Sequence, residues 1–146
     1  MTILKNINFI NVIKYLFLFL FGGFAYFFIE IISRGFSHYS MIICGGIAFV
    51  LCGLINQLSD FRFSVITQMI ISAIIITLLE LITGYIVNIQ LKLNVWDYSR
   101  LPYNFHGQIC LAYSMIWMLL SIVCIFVDDL IRWLIFDEER PRYKLM

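Results

Sequence analysis

Four stretches of about twenty mostly apolar residues follow one another along this chain of 146 residues. A helix needs roughly 20 such residues to cross the hydrocarbon core of a bilayer. The stretches predict membrane spans at about 12–33, 39–57, 63–89 and 107–127, with a loop at 90–105 and a tail at 128–146. We therefore expect an all-α protein, an integral membrane four-helix bundle that forms a single domain over residues 1–146.

Composition agrees with this fold class. Charged residues make up 13% of the chain and hydrophobic residues 62%, whereas about a quarter of the residues in a soluble domain are charged. The net charge of +1 gives no indication of a nucleic-acid partner. The expected partner is the lipid bilayer. No small-residue cleavage site follows the first apolar stretch, so we interpret that stretch as a retained span rather than a signal peptide.

The distribution of basic residues predicts the orientation. Four spans place both termini on one side of the membrane, and seven of the ten Lys and Arg residues fall on that side. By the positive-inside rule, both termini are cytoplasmic in an inner (cytoplasmic) membrane and the 90–105 loop faces outward. The tail begins DDLIRWLIF, which is typical of a short interfacial helix, and we expect its remainder to be solvated.

Two acidic residues, Glu30 and Glu80, lie inside the first and third spans. A carboxylate in hydrocarbon is costly, so an intramembrane acid is a functional-site hypothesis by default. Both glutamates are predicted at the same depth, in the outer half of the bilayer. Gly22 and Tyr26 share the face of Glu30 at a spacing of four residues, and small residues favour close helix packing. We therefore expect both carboxylates to point into the bundle.

The two halves of the chain resemble a tandem repeat of two spans. Glu30-Ile31-Ile32-Ser33 parallels Glu80-Leu81-Ile82-Thr83 in the sequence. Repeats related by an axis along the membrane normal occur in transporters, where binding sites lie at the repeat interface. The alternative is chance similarity between two segments rich in Ile and Leu.

Further polar residues are predicted at the same outer level, where they would form an outward-facing pocket. Such a group can carry a proton, coordinate a hard cation or hold a cationic substrate. The structural alternative is an ion pair that fixes the bundle, because Arg34 lies one helical turn from Glu30. The substrate- or ion-binding candidates are Glu30, Arg34, Glu80, Asn88, Trp96, Asp97, Tyr98, Arg100, Asn104, His106 and Gln108.

Several chemistries find no support in the sequence. The four cysteines form no CxxC pair, and His106 has no metal-ligating partner at a suitable spacing, so we expect neither a metal nor a cofactor. No Ser-His-Asp order, Gly-rich phosphate loop or HExxH helix occurs, and we name no catalytic residue. Because the chain has no phosphate loop, any ATPase that acts with it would be a separate subunit.

The run Asn94-Val95-Trp96-Asp97-Tyr98-Ser99-Arg100-Leu101-Pro102-Tyr103-Asn104-Phe105-His106-Gly107-Gln108-Ile109-Cys110 is long and distinctive. It resembles the signature of a family of small bacterial membrane proteins described as putative ABC-transporter type IV, or putative ABC transporter permease. The similarity extends upstream through the segments around Glu80 and Glu30 and covers most of residues 22–130. The resemblance implies a bacterial inner-membrane protein with several spans, and it carries no family catalytic residues.

Three functions remain open on these grounds. The favoured one is a transporter-like or substrate-binding membrane component that acts as a homo-oligomer or with a separate ATPase subunit, because four short spans are few for a pathway. The second is a structural or regulatory small membrane protein. The third is a membrane enzyme that acts on a lipid-linked substrate, and it is less favoured than a role without catalysis.

Overall fold

A computed structural model describes residues 9–146 of the chain. Its four long helices are each long and apolar enough to cross a membrane, which confirms the predicted all-α membrane architecture. A π-helical segment continues the third helix, and a two-stranded antiparallel hairpin precedes the fourth. The elements are α1 (Phe9–Arg34), α2 (Tyr39–Ser59), α3 (Val65–Gly84), the π segment (Tyr85–Gln90), β1 (Asn104–Phe105), β2 (Ile109–Cys110) and α4 (Leu111–Phe136). Lys5, one of the seven basic residues counted on the side of the termini, lies outside the described residues.

Short, well-capped connections set the antiparallel order of the helices. The His38 ring accepts a hydrogen bond from the Ser40 amide at the start of α2, and the Ser64 hydroxyl accepts one from the Thr67 amide at the start of α3. These contacts satisfy amides that have no partner within the helix. Asp60 ends α2 in the left-handed conformation, with a φ of 51°. The bundle therefore has two ends: the loop end, which carries residues 91–110, and the tail end, where α1 begins and α4 finishes.

Glycines allow α1 and α2 to approach most closely. A Cβ on Gly22 would collide with the Phe49 side chain, and one on Gly45 would lie 2.7 Å from the Cβ of Tyr26. Small residues at such crossings bring backbones together where no hydrophobic drive exists between helices. Large apolar side chains are exposed along all four helices, as expected for surfaces that face lipid.

The fourth helix differs from its predicted span at both ends. It begins at Leu111 rather than at 107, because the β-hairpin occupies the preceding residues. It continues to Phe136 instead of stopping at 127, so the segment expected as a separate interfacial helix forms its last turns. The reason is that Asp128, Asp129 and Arg132 are buried and paired within the bundle, so the charged residues do not interrupt the helix.

The residues after α4 pack against the bundle. The Lys144 carbonyl accepts a hydrogen bond of 2.7 Å from the Val65 amide, at the start of α3. The Tyr143 hydroxyl donates to Asp129, and its ring packs edge-on against Phe126. This part of the tail is therefore attached to the helices, whereas the sequence predicted a solvated segment.

Candidate functional site

The 91–110 loop folds over the loop end of the bundle and is held there by Asn88 and Gln108. Asn88 Oδ1 accepts the Val95 amide at 2.6 Å, and Asn88 Nδ2 donates to Gln108 Oε1 at 2.8 Å. The Trp96 indole donates to the Gln108 carbonyl at 2.9 Å, so the ring lies inside the fold with only 5% of its surface exposed. Asn88 belongs to the π segment, and such segments often occur at functional sites. Three predicted site residues, Asn88, Trp96 and Gln108, thus join the loop to the helices.

Glu80 is the acidic centre of the loop end. Its carboxylate is 4% exposed and accepts two hydrogen bonds, one from the Tyr98 hydroxyl at 2.8 Å and one from the Trp117 indole at 3.0 Å. Tyr98 comes from the loop and Trp117 from α4, so Glu80 joins three separate parts of the chain. A buried carboxylate is stable only when such donors replace water. Both donors are neutral, and Glu80 forms no ion pair within residues 9–146.

Glu30 has a different set of partners. Arg34 donates to its carboxylate at 2.8 Å, the Ser37 hydroxyl at 2.5 Å and the Tyr26 hydroxyl at a long 3.4 Å. Arg34 also donates to the Val95 carbonyl at 3.2 Å, which ties the end of α1 to the loop. This is the internal ion pair that the sequence left open as the structural alternative. Glu30 is therefore neutralised locally, whereas Glu80 is not.

Aromatic rings connect the two glutamates. The Tyr26 and Trp117 rings have centroids 5.6 Å apart, and Tyr98 stacks on Tyr113 at 4.5 Å.

Burial raises the pKa of Tyr98 well above its usual value, and the adjacent Glu80 carboxylate raises it further. Tyr98 therefore stays protonated and acts as a permanent donor to Glu80.

The other predicted loop residues mainly organise the loop itself. Asp97 accepts the Ser99 amide at 2.8 Å, which lowers the pKa of its carboxyl group. Asn104 donates to two loop carbonyls and accepts the Gly107 amide. His106 lies 3.2 Å from the Tyr85 hydroxyl in an exposed contact, and Arg100 is exposed. The fold therefore brings Glu30, Arg34, Glu80, Asn88, Trp96, Tyr98 and Gln108 into one network and leaves Asp97, Arg100, Asn104 and His106 at its surface.

A half-open cavity of about 310 Å³ lies between the helices beside Glu80. Its wall is apolar and comes from all four helices, including Phe21 and Ala25 of α1, Ala48 of α2 and Val127 of α4. Tyr26, Glu80 and Trp117 line it as well. Among the described residues, Glu80 supplies the single acidic group in this wall. The sequence predicted a polar pocket that opens outward, and the cavity beside the predicted residues is instead apolar with one carboxylate.

A second polar cluster lies at the tail end of the bundle, and it was not predicted from the sequence. Arg132 donates to Asp128 at 2.6 Å, and Asn56 donates to Asp129 at 2.6 Å, all four residues being at most 2% exposed. The available signal was the spacing of Asp128 and Arg132, four residues apart within an apolar segment. Within residues 9–146, no group of three or more His, Cys, Asp or Glu side chains is placed to hold a metal ion.

Comparison with known proteins identifies the family. The sequence model of the family described as putative ABC-transporter type IV matches residues 17–138, which include the loop signature and both glutamates. The chain belongs to this family. The match agrees with the four membrane-spanning helices and establishes a multi-pass, transporter-like membrane component. No curated protein and no solved structure matches the chain.

Proposed function

We propose that this family member binds an amphipathic substrate with an alkyl body and one amino group, in the cavity beside Glu80. The observation that supports this is a single carboxylate at one end of an apolar cavity. Apolar walls favour an alkyl body, and a few well-placed polar groups fix the orientation of a ligand. The rings of Tyr26 and Trp117 beside the carboxylate suit an ammonium group, which is attracted to aromatic faces.

Glu80 retains capacity for such a ligand. An ionised carboxylate offers about four lone-pair sites, and Tyr98 and Trp117 occupy one on each oxygen. No cationic side chain contacts Glu80 in the described part of the chain, so its charge is available to a substrate. Glu30 is the opposite case, because Arg34 neutralises it. We therefore assign the binding role to Glu80 and a structural role to Glu30.

Transport would require further components. The chain is one membrane domain without a phosphate-binding loop, so we propose that it acts as an oligomer or with a separate ATPase subunit. On the basic-residue bias, the loop end faces outward and both termini are cytoplasmic in the inner membrane. The cavity would then receive its substrate within the outer half of the bilayer.

The test uses the full chain in nanodiscs and the fluorescence of its tryptophans. Bromododecylamine bound in the cavity should quench Trp117, which lies in the cavity wall, and this quenching should saturate with concentration. Ala25→Leu fills the cavity and should abolish the saturable part, whereas Ala112→Leu, the same change at an exposed position of α4, should leave it intact. Quenching that is unsaturable and equal in all three proteins would show simple partition into lipid and contradict the proposal.

The role of Glu80 is tested with a matched pair of probes. The amine should bind at least 10-fold more tightly than bromododecanol, because only the amine carries a charge. Glu80→Gln keeps the shape of the side chain and should make the two probes equal. Glu30→Gln should leave the preference for the amine intact. A preference that survives Glu80→Gln in a folded protein would assign recognition to another group.

A further inference from the structure

We propose that the tail end of the bundle contains a sodium-binding site formed by the side chains of Asn56, Gln68, Ser72, Asp128 and Asp129. All five residues are at most 2% exposed, and they come from α2, α3 and α4. In each of them one side-chain oxygen is buried and has no hydrogen-bond partner among residues 9–146, and one buried nitrogen of the adjacent Arg132 is likewise unpaired there. Buried polar atoms are almost always paired, so such a group of unpaired acceptors is exceptional.

Contacts between the helices place these residues together. The Asp128 carboxylate packs directly against Gly53, in the space where a Cβ would lie. The neighbouring Cys52 thiol lies beside Ser72, and Asn56 is one turn farther along α2. Gln68 is one turn from Ser72 on the same face of α3. The absence of a side chain at Gly53 is thus what admits the carboxylate between the helices.

The chemistry of the group favours a hard cation. The unpaired atoms are carboxylate, amide and hydroxyl oxygens, which are ligands of hard cations. A cation that takes several oxygen ligands at once satisfies them together.

The charges favour a monovalent ion. Arg132 binds Asp128 at 2.6 Å and lies 3.7 Å from Glu138, while Lys14 pairs with the same Glu138. Asp129 is not part of these ion pairs. Its carboxylate accepts hydrogen bonds from two neutral donors, Asn56 and Tyr143. The ion pairs and Asp129 together hold three carboxylates and two basic groups. Their net charge is therefore −1, which one monovalent cation neutralises, whereas a divalent cation would leave a net charge of +1.

The proposed sodium site adjoins the tail end of the substrate cavity but is formed by different residues. Cys124 and Val127 line the end of the cavity, and Asp128 follows directly in the sequence. Glu80 lies on α3 at least two turns from Ser72, at the loop end. The sodium proposal therefore does not depend on the proposed substrate, and each can fail alone.

Direct binding of radioactive ²²Na⁺ to the purified full chain tests the proposal. Binding should saturate and be displaced by NaCl but not by choline chloride at the same ionic strength. Asp129→Asn removes the unbalanced charge and should weaken binding at least 10-fold. Ser72→Ala should weaken it several-fold. Ser121→Ala is the matched control, because this equally buried hydroxyl already donates to the Met118 carbonyl, and it should bind like the natural chain.

Thermal unfolding supplies the second measurement and confirms that each variant is folded. NaCl should raise the unfolding midpoint of the natural chain above its value in choline chloride, and the increase should disappear in Asp129→Asn. An absence of saturable ²²Na⁺ binding to the natural chain would overturn the proposal. So would a midpoint that depends on pH but not on sodium, which would assign the site to a proton, or undiminished binding by folded Asp129→Asn.

Discussion

Trp117 and Glu80 are 37 residues apart in the sequence, and the Trp117 indole donates to the Glu80 carboxylate at 3.0 Å. The contact joins α4 to α3 inside the bundle and forms part of the cavity wall. Trp117 therefore acts both on the stability of the bundle and on the orientation of the carboxylate that we assign to substrate binding.

Replacing Trp117 with Phe removes the donor while keeping an aromatic ring. A hydrogen bond to a charged group contributes about 1.5–3 kcal/mol, so we expect Trp117→Phe to lower the free energy of unfolding by about that amount. Thermal unfolding in nanodiscs measures it. Trp133→Phe, at a position 36% exposed, is the control and should have little effect. Equal effects of the two changes would contradict a specific role for the indole donor.

Arg34 should hold the loop in place as well as neutralise Glu30. Arg34→Met removes both contacts, and we expect faster hydrogen exchange in residues 91–99, measured by mass spectrometry. Arg100→Met, an exposed residue of the same loop, should change exchange little. The double variant Glu30→Gln, Arg34→Met should be more stable than Arg34→Met alone, because an unpaired buried charge costs more than a neutral pair. No recovery in the double variant would mean that Glu30 does not depend on Arg34.

Stability should fall at alkaline pH because of Tyr98. The pKa of Tyr98 is raised in the folded chain, whereas that of an unfolded tyrosine is about 10. The contribution of Tyr98 is complete below about pH 10, and it is lost as the pH rises from there toward the folded pKa, since only the unfolded state then releases the proton. In unfolding scans between pH 8 and pH 11, Tyr98→Phe should be less stable at pH 8 and lose less stability toward pH 11. A steeper decline in Tyr98→Phe would contradict this assignment.

The predicted orientation can be checked by labelling cysteines from outside the cell. In a chain without its native cysteines, Ser99→Cys should react with an impermeant reagent and Ser59→Cys should not. Ser99 is exposed in the loop, and Ser59 ends α2 at the tail end. The opposite pattern would reverse the orientation and place the Glu80 cavity in the inner half of the bilayer.

The sequence by itself determined the four helices and the membrane environment, and it carried the signature of the family. Span length and hydrophobicity are local properties, so the printed residues suffice to predict them. The cost of a charge in hydrocarbon also singled out Glu30 and Glu80, and the four-residue spacing to Arg34 indicated the ion pair that the fold contains. The tandem repeat stays a prediction, because the fold alone does not test a duplication.

The tertiary structure decided which partners the charged residues have. Glu80 and Glu30 occupy matching sequence positions, yet the loop and α4 give Glu80 neutral donors while Arg34 neutralises Glu30. The sequence predicted Asp129 to lie in a tail outside the membrane spans. In the fold it is buried, and it accepts a hydrogen bond from Asn56 of α2, which is 73 residues away in the sequence. Hydropathy gives the cost of burying a charged side chain that has no partner. A partner from a distant helix offsets that cost, and hydropathy does not include it. Only the packed bundle brings such partners within hydrogen-bonding distance.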